Sequence, residues 1–240
     1  MNQVVVQLPL NVSLRDDASF NNFYVANNAA IVAQLENCVS DSRSQGSVFL
    51  WGTNSSGKTH LLEAACHLAT EKSLTSAYVP LKYAQDFKAT ILDNLETCQL
   101  ICLDDIDLIA GQEAWEQAIF HLYNRANERN SQMIFSSTKN IKECNFVLPD
   151  LVSRLGWGVV LHIQPLSDEE KIAALQLRAS LRGFELPDNV INYLLRRCSR
   201  DTNALFTLLG ELDKASLIAK RKLTIPLVKQ WFENKKDFPR

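Results

Sequence analysis

Glycine and proline are both scarce in this chain, 8 and 7 among 240 residues, which excludes a collagen-like or linker-rich architecture. No apolar run approaches the roughly 18 residues that a membrane-spanning helix needs. The N-terminus, MNQVVVQLPLNVSLRDD, has no basic stretch ahead of its short apolar runs and does not read as a secretory signal. The six cysteines, at 38, 66, 98, 102, 144 and 198, form no CxxC pair. Most lie inside apolar segments, as buried thiols of a cytoplasmic protein do, not as a disulfide framework. The four histidines, at 60, 67, 121 and 162, show no metal-ligand spacing and no Ser-His-Asp logic. With 25 Lys+Arg against 27 Asp+Glu, the net charge of −2 lacks a strongly basic nucleic-acid footprint.

What is present is ordinary globular material, 46% hydrophobic and 22% charged. The length suits one large domain or a large one with a small one. Residues 1–18 stand apart as a short apolar stretch followed by polar residues. From 19 to 165, short apolar runs alternate with helical patterns: 47–51, 76–80, 100–105, 133–138 and 159–163. The runs are rich in Val, Ile, Phe and Leu and barely alternate, as strands buried on both faces of a parallel sheet do. Residues 58–70 carry Leu61, Leu62, Ala65 and Leu68 on one helical face. An α/β layered domain is expected over 19–165. From 166 to 240 the pattern is helical only. Ser167 and Glu170 form a capping box, Leu186-Pro-Asp188 opens the next helix, Asp201 starts another, and Pro226 sits in the first turn of the last.

The sharpest motif is Gly52-Thr-Asn-Ser-Ser-Gly57-Lys58-Thr59, the pattern G-x-x-x-x-G-K-[ST], placed between a buried strand and an amphipathic helix. Glycines let the loop of Asn54, Ser55 and Ser56 turn its N–H groups toward phosphate oxygens. The helix N-terminus adds partial positive charge. Lys58 reaches the terminal phosphates, and the Thr59 hydroxyl can ligate Mg²⁺. The run Leu100–Asp105 ends in two acids near that loop: Asp104 can hold Mg²⁺, and Asp105 can orient a nucleophilic water. Both acids could instead cap a helix. Ser136, Ser137 and Thr138 end another strand, where they either face the same crevice or signal a turn. Arg154, in LVSRLGWG (151–158), is either an ordinary surface arginine or one offered to a neighbour's nucleotide.

These elements in this order resemble an AAA+ ATPase, and in detail the clade of the replication initiator DnaA and the shorter Hda family. GKTHLLEAA (57–65) is similar to the initiator's Walker A extension, LDDID (103–107) to its Walker B, and LVSRLGWG to its box VII. FNNFYVANNAA (20–30) is similar to the linker that contacts the base. AIFHLYNRANE, IQPLSDEEK, LRASLRGFELP and LDKASLIAKRKLTIPLVK resemble Hda most closely. The resemblance implies an αβα parallel-sheet domain followed by a small all-helical lid. It implies a nucleoside diphosphate such as ADP, with Phe23, Tyr24, Gly52, Asn54, Ser55, Ser56, Gly57, Lys58, Thr59, His60 and Asn203 at the nucleotide, and Mg²⁺ at Thr59 and Asp104. It implies an arginine finger at Arg154 and a clamp-binding motif at Gln7, Leu8, Pro9 and Leu10. The expected partners are the initiator DnaA and the DNA polymerase sliding clamp. The initiator's helix-turn-helix domain has no counterpart in these 240 residues, so direct sequence-specific DNA binding is not expected. Two positions depart from the family: Thr138 stands where sensor 1 usually carries Asp, and Asn203 where sensor 2 carries Arg. Both fit a chain that binds nucleotide with little turnover. The implied function is negative regulation of replication initiation by stimulating hydrolysis of DnaA-bound ATP. A nucleotide-dependent scaffold and an autonomous AAA+ ATPase are the alternatives.

Overall fold

Among the described residues, five short strands carry the nucleotide-loop half of the chain, and all are parallel: β1 (Ser47–Trp51), β2 (Ser76–Pro80), β3 (Leu100–Asp104), β4 (Gln132–Ser137) and β5 (Val159–His162), in the order β2-β3-β4-β1-β5. The structure is a computed structural model that describes residues 18–40, 46–198, 201–219 and 221–234. The helices are α1 (Ala29–Ser40), α2 (Lys58–Glu71), α3 (Glu113–Glu128), α4 (Pro149–Trp157), α5 (Asp168–Leu181), α6 (Asp188–Arg197), α7 (Thr202–Ala219) and α8 (Ile225–Asn234). Among the described residues, no helix is long and apolar enough to cross a membrane.

The period of two along each strand sends alternate side chains to opposite faces. Phe49, Ile101, Leu103, Met133 and Phe135 pack against Trp115, Ile119, Leu122, Leu151 and Leu155 of α3 and α4. On the other face Cys102 meets Cys66 of α2, and Cys38 of α1 donates to Gln132 Oε1. The sheet is thus an αβα sandwich, and β3 and β4 are buried throughout. The edge strand β5 departs from the expectation of burial on both faces, since Val159 and Val160 are exposed. Among the described residues only β1 pairs with it, and no described strand covers its outer side. All six cysteines are free thiols, four of them buried.

The described chain divides into two compact units: residues 18–23 with 27–164, and residues 24–26 with those from 165 onward. The second unit is helical, with Leu175, Val190, Ile191, Leu194, Leu205, Leu208, Leu209 and Leu212 in its core. Ser167 caps α5 reciprocally, accepting from Glu170 N–H at 3.2 Å while its own N–H donates to Glu170 Oε2 at 2.7 Å. The Ala204 N–H donates to Asp201 Oδ1 at 2.8 Å in the first turn of α7.

Candidate functional site

The strand order decides what meets what. Because β4 lies between β1 and β3, its polar end stands between the loop after β1 and the acids after β3. The loop Gly52–Gly57 turns on Ser55 (φ 59°) and Gly57 (φ 103°), and α2 begins immediately at Lys58. A Cβ at Gly57 would stand 2.6 Å from Phe23 Cε2, so the loop runs directly beneath that ring. No side chain caps α2 at Gly57, and its first turn holds no acid. Its orphan N–H groups and dipole therefore favour an anion. Ser56 Oγ is buried without a hydrogen-bond partner. That orphan, in a cradle of turned backbone, fits a phosphate oxygen.

Lys58 is buried, and its Nζ donates to the Gly52 and Thr53 carbonyls at 2.8 and 2.9 Å. Burial lowers its pKa, while the carboxylates of Asp105, Asp104 and Asp107 act to raise it. Asp104 is completely buried and accepts three hydroxyls: Thr59 and Tyr78 at Oδ2, each at 2.8 Å, and Ser136 at Oδ1. Ser136 Oγ also accepts the Asp105 N–H at 2.8 Å. Asp105 itself turns the chain in the left-handed region, with φ 59° and ψ 47°. Burial, then the neighbouring Asp104 charge, push the Asp105 carboxyl up to about 6. Thr138 donates both its N–H (3.1 Å) and its hydroxyl to Asp107. The polar end of β4 is therefore tied to acids after β3, and Ser137 Oγ donates to the Lys139 carbonyl at 2.7 Å.

His60 is buried on α2, with Nε2 at 2.9 Å from the Ser19 carbonyl and its ring stacked 5.8 Å from Phe23. Loop, Asp104, Asp105, Phe23 and His60 thus lie in the first unit. Tyr24 and Asn203 belong to the second, Asn203 on α7. Gln7, Leu8, Pro9 and Leu10 lie outside the described residues. Arg154 shares none of the contacts around the loop. It lies on α4 with its guanidinium 4.9 Å above the exposed Trp157 ring. Beside it an open depression of about 690 Å³ is lined by Phe120, Asp150 and Ser153. Tyr78 was not legible as a support of Asp104, because it sits inside a run that reads as plain strand, whereas Ser136 stood out at the polar end of its strand without its partner being readable.

The family model of the bacterial DnaA ATPase domain matches residues 14–162. The chain belongs to that family. The model of the Hda lid domain matches residues 168–232, and the two together mark an Hda-type DnaA homologue. Among solved structures, this DnaA-type domain with its lid is similar to domain III of the Thermotoga maritima replication initiation protein DnaA. That likeness has 22% identity and a TM-score of 0.75, and covers 91% of this chain and 98% of that one. A DnaA bound to AMPPCP and single-stranded DNA aligns at 23% identity and TM-score 0.66, over 83% of this chain and 66% of that one. Thermotoga maritima RuvB aligns at 16% identity and TM-score 0.63, over 87% and 68%. These likenesses establish the fold: an AAA+ parallel-sheet domain followed by a helical lid.

Proposed function

We propose that this DnaA-related replication regulator switches initiation off by completing the ATP site of DnaA. In this reading a nucleoside diphosphate, ADP in the simplest case, is held by Gly52–Thr59. Gln7-Leu8-Pro9-Leu10 tethers the chain to the DNA-loaded sliding clamp, which brings a cytoplasmic protein to the nucleoid. Arg154 then reaches the ATP of a docked DnaA. The loop supports the first part through the orphaned Ser56 hydroxyl, the uncapped start of α2 and the buried Lys58 cation. Thr59 Oγ1 and Asp104 Oδ2, 2.8 Å apart, are hard oxygen donors that fit Mg²⁺. Among the described residues no cluster of three or more His, Cys, Asp or Glu side chains forms a metal cage, so a cation here would share phosphate oxygens and water.

One observation carries the reading. Leu151 and Leu155 bury one side of α4 completely, while Arg154 is half-buried, borders an open depression and has no ion-pair partner among the described residues. A guanidinium held on a stacked ring at an open surface is available to a partner's phosphates. Supplied in trans, such an arginine is worth roughly 10³–10⁵ in rate, or about 4–7 kcal/mol of barrier. The chain's own polar groups support little turnover, since Thr138 and Ser136 give their hydroxyls to Asp107 and Asp104.

The test is hydrolysis of DnaA-bound ATP with clamp loaded on DNA and diphosphate present. Arg154→Ala should fold, bind diphosphate and clamp, and fail to stimulate. Arg154→Lys should rescue poorly, because a point charge on a flexible stem lacks the planar fork. Parental stimulation by Arg154→Ala would remove the finger and leave the scaffold alternative.

A further inference from the structure

Glu116 is a fully buried acid that the loop and its acids do not use. It lies in the first turn of α3, and its carboxylate accepts three main-chain N–H groups. Oε1 takes Gly111 at 2.7 Å and Val147 at 3.1 Å, and Oε2 takes Leu148 at 2.7 Å. An ionised carboxylate is tolerated in such a place only when charge-assisted bonds of this kind satisfy it.

Two of the three donors stand 31 and 32 residues along the chain, at the start of α4. Leu148 is the N-cap of that helix, and its side chain cannot accept a bond. Pro149 follows and has no N–H to offer. The start of α4 is therefore capped by a carboxylate from another helix, with negative charge at the positive end of its dipole. Trp115 and Ile119, on either side of Glu116 in sequence, share a core with Leu151 and Leu155 of α4. A helix of nine residues is thus held at two places: its first turn by Glu116 and its inner face by two leucines. Arg154 lies between those leucines in sequence and outside that core.

We infer that Glu116 is the positioning residue for Arg154. It sets the rotation and depth of α4, and so where the guanidinium stands when a partner docks. This rests on the trans-acting role proposed for Arg154. At roughly 6 Å from a helix axis, a turn of about 10–20° moves a side-chain tip by about 1–2 Å. A misplacement of about 1 Å can cost on the order of 100-fold in rate.

Glu116→Gln keeps the shape but puts an amide NH₂ against an N–H. It should lower the maximal stimulated hydrolysis rate about 10–100-fold. The concentration giving half-maximal stimulation, the diphosphate affinity and clamp binding should stay parental. Hydrogen exchange should quicken at residues 147–151 and not at 58–65. Glu116→Asp, which keeps the charge on a shorter arm, should fall between parent and Gln, and decides the matter if Glu116→Gln does not fold. Arg154→Ala is assayed alongside. A parental rate from Glu116→Gln beside an inactive Arg154→Ala overturns the positioning role alone. Loss of diphosphate affinity in step with rate overturns it too, since the effect is then general. A parental rate from Arg154→Ala overturns the finger assignment and the positioning role together.

Discussion

Gly57→Ala is the perturbation that best tests the loop's geometry. Gly57 adopts φ 103° and ψ 8°, where an L side chain is strained. The added methyl would also stand 2.6 Å from Phe23 Cε2, well inside van der Waals contact. Left-handed backbone costs about 1–2 kcal/mol per residue, and forcing an extra methyl into packed surroundings costs about 1–3 kcal/mol. Phe23 is half-buried and can give part way, so we expect a total of about 2–4 kcal/mol. Urea unfolding of the parent and of Gly57→Ala, Phe23→Ala and the double variant separates the two costs. Phe23→Ala relieves the clash and leaves the backbone strain, so the double variant should be more stable than the sum of the singles by about 1–2 kcal/mol. Calorimetric affinity for diphosphate should fall in both variants that carry Gly57→Ala, because the N–H groups of the loop are re-aimed. Additive stabilities, with parental affinity in Gly57→Ala, would refute the placement of Phe23 over the loop.

Lys58→Ala removes the fixed cation of the loop and should abolish diphosphate binding by isothermal calorimetry; parental affinity would refute the loop assignment. Replacing Gln7, Leu8 and Leu10 by alanine should weaken retention on the sliding clamp with no shift in melting temperature, since a short apolar peptide anchors in a preformed pocket; an unchanged pull-down counts against the motif. Asp105 is held at about 6, above its ordinary value of about 3.9, so the folded state keeps a proton that the unfolded chain has lost. Its ionisation therefore destabilises the fold as pH rises from about 4 to 6, fully so above that. Asp105→Asn, which suits the left-handed backbone, should raise the melting temperature more at about pH 7.5 than at about pH 5 in metal-free, nucleotide-free buffer. Equal shifts at both pH values would show that burial and Asp104 do not raise this carboxyl.

Local signals were legible because local physics makes them. The G-x-x-x-x-G-K-[ST] loop is one contiguous turn, and its glycine at 57 follows from a φ that only a residue without Cβ adopts freely. The capping box at Ser167 and Glu170 is closed within four residues. The leucines of α7 recur at helical spacing, and the strands beginning near 47, 100 and 133 read as apolar runs because they are largely buried. By itself, then, the amino-acid sequence determined a parallel α/β layer, a phosphate loop, two acids at a strand end and a helical segment after residue 165. The tertiary structure alone decided how those groups are held. Asp104 draws its hydroxyls from positions 59, 78 and 136, and Glu116 its amides from 111, 147 and 148. Only the strand order, with β3 between β2 and β4 and β4 beside β1, brings the first set together, and only the packing of α3 on α4 the second. The exposure of β5 was decided in the same way: a strand's propensity comes from its own residues, but whether it stands at the edge depends on which neighbours the sheet supplies.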